Sequence, residues 1–505
     1  MRKTALLFVL LVVLAACSSS GSPKGQPVTT DASTPSEAYS FPAEFLFGSA
    51  TAGFQVEKGN TAADWWVWAN TQNRIANGDH PDRGGPDALA HVDDDVALLT
   101  SSGQRVYRFS IEWSRLYPTR EQFDRDEPDA TAVASYSRLL DALSLAKIVP
   151  MVTLHHFASP SWLSDPTKPN DPEAWERSEM GALFATFAAR VATRWGHQVD
   201  WWVTINEPLN AAIGGYVQGS FPPGQILAID RALSVVKATA RAHALAYDAI
   251  HEKDTRDADG DGRAAWVSPA LHQRTFHPYD PESQADKDAT AHVQGLWNRW
   301  FADVIVFGNW DDDFDGKLDG ANDRTSDVTL RGRADYLGFN YYSDTLVSAS
   351  RGIVLPVINA AIYQAAMPTE RPKTDTRWDI YPEGMGTVLD ELKAYGLPLF
   401  ITENGIADAV DQNRARFVLE HLREVSRAIS RGADVRGYLH WSLIDNFEWA
   451  SGFCPRFGLA TYDPDNGRRT ERASLLVYTR VIANKRVEQR DIDTLPAYAN
   501  GTTCP

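Results

Sequence analysis

The chain has 505 residues, of which 43% are hydrophobic and 23% charged. These are globular values, and the length allows either several domains or one large α/β barrel with insertions. A formal net charge of −17 argues against nucleic acid or an anionic membrane surface as partner.

The chain opens with Arg2 and Lys3, followed at 5–16 by an apolar stretch too short to span a bilayer with margin. The stretch ends in Leu14-Ala15-Ala16-Cys17, which resembles a bacterial lipobox. The resemblance implies cleavage before Cys17 and lipidation of its thiol. An ordinary secretory peptide ending in Cys is the alternative. Cleavage removes two cations and no acid, so the charge moves from −17 to −19. Residues 18–40 read as a flexible tether rich in Ser, Pro, Gly and Thr. No later stretch is long and apolar enough for a membrane-spanning helix. The expectation is an exported protein, held to a membrane by the lipid at Cys17, with its domain in water. Only Cys454 and Cys504 then remain. An oxidising compartment permits a disulfide between them, and two separate thiols are the other reading.

From residue 41 onward, eight short apolar runs alternate with helical stretches. The runs lie at 45–52, 105–113, 148–156, 200–208, 264–272, 334–342, 398–405 and 435–444. Each is apolar on both faces, as a buried parallel strand requires. Segments such as 179–195, 230–252 and 411–430 repeat apolar residues at helical spacing. Eightfold strand–helix alternation predicts an α/β fold, a single (β/α)8 TIM barrel with loop insertions. A doubly wound open sheet competes, but no Gly-rich phosphate loop follows the first strand. The barrel domain is expected over 41–490, with 491–505 as a C-terminal tail.

Polar residues of catalytic type close most of these runs. They include Gln55, Arg108 with Glu112, His155 with His156, Asn206 with Glu207, His272, Asn340 with Tyr342, Glu403 with Asn404, and Trp441. In a parallel barrel those ends meet at one face, where active sites lie. Glu207 and Glu403 form a candidate carboxyl pair of the kind glycoside cleavage needs, one to attack the anomeric carbon and one to protonate the leaving oxygen. The roles need separated pKa values, one acid raised by burial or its partner's charge and one kept ionised. Arg108 could supply a stabilising charge and Tyr342 a hydrogen bond. The sixteen Trp fit either an aromatic core or a sugar-stacking cleft.

Six segments make a family resemblance. They are FLFGSATAGFQVEKG at 45–59, YRFSIEWSRLYP at 107–118, TINEP at 204–208, LGFNYY at 337–342, ITENG at 401–405 and WSLIDNFEWASGF at 441–453. In this order they resemble the motifs of the family 1 glycoside hydrolases, the β-glucosidase group. The resemblance implies a retaining β-glycosidase that needs no cofactor, with Glu207 as acid/base and Glu403 as nucleophile. It implies that Arg108, Asn340 and Tyr342 support Glu403. Gln55, His156, Asn206, Trp441, Glu448 and Trp449 would bind the sugar. It also implies carboxyls about 5 Å apart, the spacing that allows direct attack.

One departure from the family is Phe157, where an indole N–H usually faces the sugar 3-hydroxyl. The branch acting on 6-phospho sugars has Ser where this chain has Glu448, and Lys and Tyr in place of Pro455 and Phe457. Activity on 6-phospho sugars is therefore not expected. β-Glucosidase is the leading expectation. A β-galactosidase, β-fucosidase, β-mannosidase or transglycosylase on the same scaffold is the alternative, and a non-catalytic sugar-binding surface protein is another class. Separately, Asp257, Asp259 and Asp261 before Gly262, and Asp311, Asp313 and Asp315 before Gly316, have the alternate-acid spacing of calcium loops. Both lack a Glu at the twelfth position, so two acidic surface turns are the other reading.

Overall fold

The computed structural model describes residues 37–168, 172–354, 361–365, 369–502 and 504. The expected signal segment, Cys17 and most of the expected tether lie outside them. Eight parallel strands close into a barrel. They are β1 (Leu46–Ala50), β2 (Val106–Ser110), β3 (Val149–His155), β4 (Trp201–Asn206), β5 (Trp266–Pro278), β6 (Leu337–Val354), β7 (Leu399–Asn404) and β8 (Val435–Trp441). Each pairs in parallel with its neighbours, and β8 returns to β1 through Gly437↔Leu46 to Trp441↔Ala50. All eight expected strands are present.

A helix follows each strand: α1 (Val92–Ser101), α2 (Ala130–Ala146), α3 (Met180–Trp195), α4 (Ile229–Lys253), α5 (Trp300–Phe307), α6 (Glu383–Leu392), α7 (Arg414–Ser430) and α8 (Ala473–Asn484). Their apolar spacing explains their seating. In α3, Met180, Phe184, Phe187, Val191 and Trp195 fall on one buried face. Trp201, Trp266 and Phe400 plug the barrel where their strands begin. Trp201 stacks on Trp266 at 5.2 Å and meets Phe400 edge-on at 5.3 Å. The opposite end, where the strands finish, carries the cavity.

Three boundaries differ from expectation. β5 runs past residue 272 and pairs with β6 as far as Pro278↔Val347, so the two strands extend beyond the barrel rim. Residues Ala38–Ser40, read as tether, form an antiparallel pair with Arg486–Glu488 and bury Tyr39. The expected tail is docked. Tyr498 donates to Glu420, the Gly501 amide to the Lys373 carbonyl, and a disulfide joins Cys504 to Cys454. Both readings of the tryptophans hold. Trp65, Trp68, Trp113, Trp195, Trp202 and Trp310 are core, while Trp378, Trp441 and Trp449 line the cavity.

Candidate active site

The strand ends surround a cavity of about 320 Å³. Gln55, His156, Asn206, Glu207, Tyr342, Glu403, Trp441, Glu448 and Trp449 all line it. Strand register explains the assembly. Asn340 pairs with Glu403 across β6 and β7, and with His272 across β5 and β6.

Glu403 is buried and its two oxygens have different partners. Arg108 donates to Oε1 at 2.6 Å, and the Tyr342 hydroxyl to Oε2 at 2.7 Å. Burial pushes its carboxyl up, while Arg108 and Tyr342 favour the ionised form. Glu207 follows β4 in a left-handed conformation with φ of 43° and caps the helix that starts at Pro208. Asn340 donates to its Oε1 at 2.8 Å and Asn210 to its Oε2 at 2.9 Å. No cation forms a close pair with it among the described residues, His272 Nδ1 lying 3.8 Å away. Burial, and then the charge of Glu403, push its carboxyl up to about 7. One carboxyl therefore holds its proton near neutrality and the other is braced by a guanidinium. The two are wired together. Arg108 also donates to Asn206 Oδ1 at 2.8 Å, and Asn340 donates to that same oxygen at 3.1 Å.

The same wiring sets a tautomer. Asn206 Oδ1 accepts twice, so its Nδ2 donates to His156 Nε2 at 3.1 Å. The proton of His156 is then on Nδ1, and burial keeps the ring neutral by holding its pKa well below the ordinary value. Among the described residues Nδ1 has no hydrogen-bond partner, and neither has Gln55 Oε1. Gln55 Nε2 meanwhile donates to Glu448 Oε2 at 3.2 Å and to the Phe447 carbonyl at 2.9 Å. A buried donor and a buried acceptor thus lack partners beside the cavity, where hydroxyl groups of a sugar would satisfy them. Burial and the Glu403 charge push Glu448 up to about 8. Trp441 lies parallel to His156 at 5.7 Å, and Trp449 packs against Trp65 at 4.6 Å. Phe157 also lines the cavity and offers no donor there.

Not every strand-end polar residue belongs to the site. Glu112 accepts from Ser110, His155 pairs with Ser159, and Asn404 bonds the Tyr341 carbonyl and the Tyr438 hydroxyl. These hold the rim together. Conversely, Asn210, Gln218, Arg274, Trp378 and Phe457 line the cavity and were not singled out as ligands from sequence. Arg274 lies two residues past the expected end of its strand, which hid it.

The acidic loops divide. Carboxylate oxygens of Asp311, Asp313 and Asp315 come within 4.8 Å of one another. In the other loop Asp257 and Asp259 gather with Asp200, while Asp261 instead accepts from Trp266 Nε1 at 2.7 Å and the Arg263 amide. Asp261 is therefore a correction to the expected ligand set. The Trp266 indole, five residues on, captures its carboxylate, and buried Asp200 takes its place.

The model of glycosyl hydrolase family 1 matches residues 37–487. A β-galactosidase from Pyrococcus woesei is 30% identical over 89% of this chain and 98% of its own. β-Glucosidase A from Thermotoga maritima is 30% identical over 89% of this chain and 99% of its own. Among solved structures, a β-glycosidase from Pyrococcus horikoshii superposes with a TM-score of 0.77 at 32% identity, covering 91% of this chain and 98% of that one.

Proposed function

The chain belongs to glycosyl hydrolase family 1, and on that premise we propose that it removes terminal non-reducing β-D-glucosyl residues, with Glu207 as acid/base and Glu403 as nucleophile. It is a β-glycosidase that acts on O-glycosyl bonds with retention. The single observation carrying the assignment of roles is the asymmetry of the two carboxyls. Arg108 and Tyr342 donate to Glu403 and favour its ionised form against the upward push of burial, while Glu207, with no such cation, is pushed up to about 7.

In the first step the Glu403 carboxylate attacks the anomeric carbon and Glu207 protonates the glycosidic oxygen, releasing the aglycone. A glycosyl ester on Glu403 remains. Glu207, now a carboxylate, takes a proton from water, which attacks the same carbon and frees the sugar with its configuration retained. Nucleophile and acid are both protein groups, so the reaction needs no cofactor. Asn206, His156, Gln55, Glu448, Trp441 and Trp449 would bind the sugar, supported by the partnerless Gln55 Oε1 and His156 Nδ1. Hydrolysis of 4-nitrophenyl β-D-glucoside tests the reading. Glu403→Ala should abolish turnover, and azide should rescue Glu207→Ala because a small anion needs no base. Activity that survives Glu403→Ala would refute the nucleophile.

The Pyrococcus relative favours galactose as the second reading of the glycone, and a panel of nitrophenyl glycosides ranked by kcat/KM separates the two. Export and a lipid at Cys17 belong to the proposal. Leu14-Ala15-Ala16-Cys17 supports them, and so does the Cys454–Cys504 disulfide, which suits an oxidising compartment. Mass spectrometry of the mature N-terminus in wild type and Cys17→Ala is the test. Of the two acidic loops, that of Asp311 supports a structural calcium. Asp311 is 8% exposed, and its Oδ1 has no hydrogen-bond partner among the described residues. Backbone amides donate to the carboxylates of both loops, so the free Oδ1 of Asp311 is what separates them.

A further inference from the structure

The cavity holds one cation that the chemistry above does not use. Arg274 lines it, two residues beyond His272 on the extension of β5. The register between β5 and β6 shifts between Gln273 and Thr275, where Arg274 lies opposite the extra residue that Tyr342 and Ser343 give β6. Bulges re-aim side chains beside active sites. Its backbone is pinned on both sides by Asn298, which accepts from the Arg274 amide at 3.1 Å and donates to its carbonyl at 2.7 Å.

The guanidinium has neutral company. It donates from one terminal nitrogen to Thr345 Oγ1 at 3.0 Å, and its Nε lies 3.4 Å from His272 Nε2. It sits 5.8 Å from the centre of the Trp297 ring. Among the described residues no carboxylate forms an ion pair with it, and no protein acceptor takes the hydrogens of its other terminal nitrogen. Burial accordingly disfavours its charged form, with Glu207 the leading opposing charge. Arg274 is half-buried, and its free terminal nitrogen can be completed by a ligand in the cavity it lines.

The position of Arg274 says what that something is. The glycone end is marked by Gln55 and Glu448, joined through Gln55 Nε2, and by the neighbouring Trp449. Arg274 is reached instead through His272, whose Nδ1 lies 3.8 Å from Glu207 Oε2. Glu207 protonates the leaving oxygen, so groups beyond it face the aglycone. We propose that Arg274, flanked by His272, forms an anion-binding aglycone subsite that selects β-glycosides whose leaving group carries a carboxylate. The planar fork of a guanidinium matches two carboxylate oxygens. The Glu403 carboxylate would otherwise repel such a substrate, so a cation placed here favours it. The inference rests on the acid/base assignment of Glu207.

The test compares 4-carboxyphenyl and 4-carbamoylphenyl β-D-glucosides, and their 3-substituted isomers, with wild type, Arg274→Gln and Arg274→Lys. The quantity read is the ratio of kcat/KM for carboxylate over amide within each variant. A general loss of activity and the intrinsic acidity of the leaving group both cancel when ratios are compared. Arg274→Gln should lower the ratio about 10- to 100-fold for at least one isomer, the range for a hydrogen bond to a charged group. Arg274→Lys should fall between the two. In wild type, 3- or 4-hydroxybenzoate should compete with 4-nitrophenyl β-D-glucoside better than the corresponding amide, which needs no variant to fold. Ratios that change less than about threefold in Arg274→Gln, or amides that inhibit as well as acids, would overturn the subsite. Failure of wild type on every glucoside would instead overturn the glucosidase reading.

Discussion

Replacing Arg108 with Met removes the cation from Glu403 while nearly keeping the volume. The guanidinium serves four acceptors at once: Thr153 Oγ1 at 2.9 Å, Glu403 Oε1 at 2.6 Å, Asn206 Oδ1 at 2.8 Å and the Thr402 carbonyl at 3.4 Å. All are buried, with Glu403 and Asn206 at the cavity wall. Breaking a buried ion pair by deleting one partner costs about 3–5 kcal/mol. Glu403 escapes that cost by binding a proton, which makes it useless as a nucleophile. At about 1.4 kcal/mol per decade, the expected loss in kcat/KM at neutral pH is two to three and a half orders of magnitude. The sign with pH follows. Losing the cation raises the Glu403 carboxyl, so the acidic limb of the profile moves up toward the alkaline limb set by Glu207. No pH then satisfies both groups and the maximum itself falls. The assay is kcat/KM for 4-nitrophenyl β-D-glucoside across the pH range, with near-ultraviolet circular dichroism to establish folding. A folded variant that loses less than about tenfold, with its acidic limb unmoved, would refute the role given to Arg108.

Wild-type kcat/KM should decline on the alkaline side around pH 7, because Glu207 must be protonated to release the aglycone; a flat profile to pH 9 would exclude Glu207 as the acid. Tyr342→Phe removes the 2.7 Å bond to Glu403 and should lower kcat/KM about 10- to 100-fold, measured on the same substrate. Loop-closure entropy over the 50 residues between Cys454 and Cys504 gives their disulfide about 4 kcal/mol, so reductant or Cys454→Ser should lower the melting temperature. Chelator should lower the melting temperature of wild type and leave Asp311→Asn unaffected if the Asp311 loop holds calcium.

The barrel was legible because its strands are apolar on both faces and its helices are amphipathic. Those two periods separate cleanly in a chain whose sheet is buried on each side. The catalytic face was legible for a related reason. Parallel strands deliver their last residues to one end, so Arg108, Asn206, Asn340 and Glu403 converge whatever the loops do. What escaped was set by pairing between distant segments. The end of β5 depends on β6, which carries the pairing on to Pro278 and places Arg274 over the cavity. Residues 491–505 have no strong apolar period, and they dock through Tyr498, Gly501 and Cys504 with partners far away in sequence. Trp378 reaches the cavity from a loop whose order comes from Thr374, with which it shares a turn.

The charge of Glu403 is part of what keeps Glu207 protonated. Esterification of Glu403 erases that charge, and the raised affinity of Glu207 for its proton falls at the moment the proton has been given away. The next event needs a base at the same position, and the neutral ester leaves one. Forming the intermediate therefore resets its neighbour from donor to acceptor with no side chain having to move. Hydrolysis restores the anion and, with it, the appetite for a proton. The pair behaves as a two-stroke device in which each carboxyl reports the stage of the cycle to the other through the field between them.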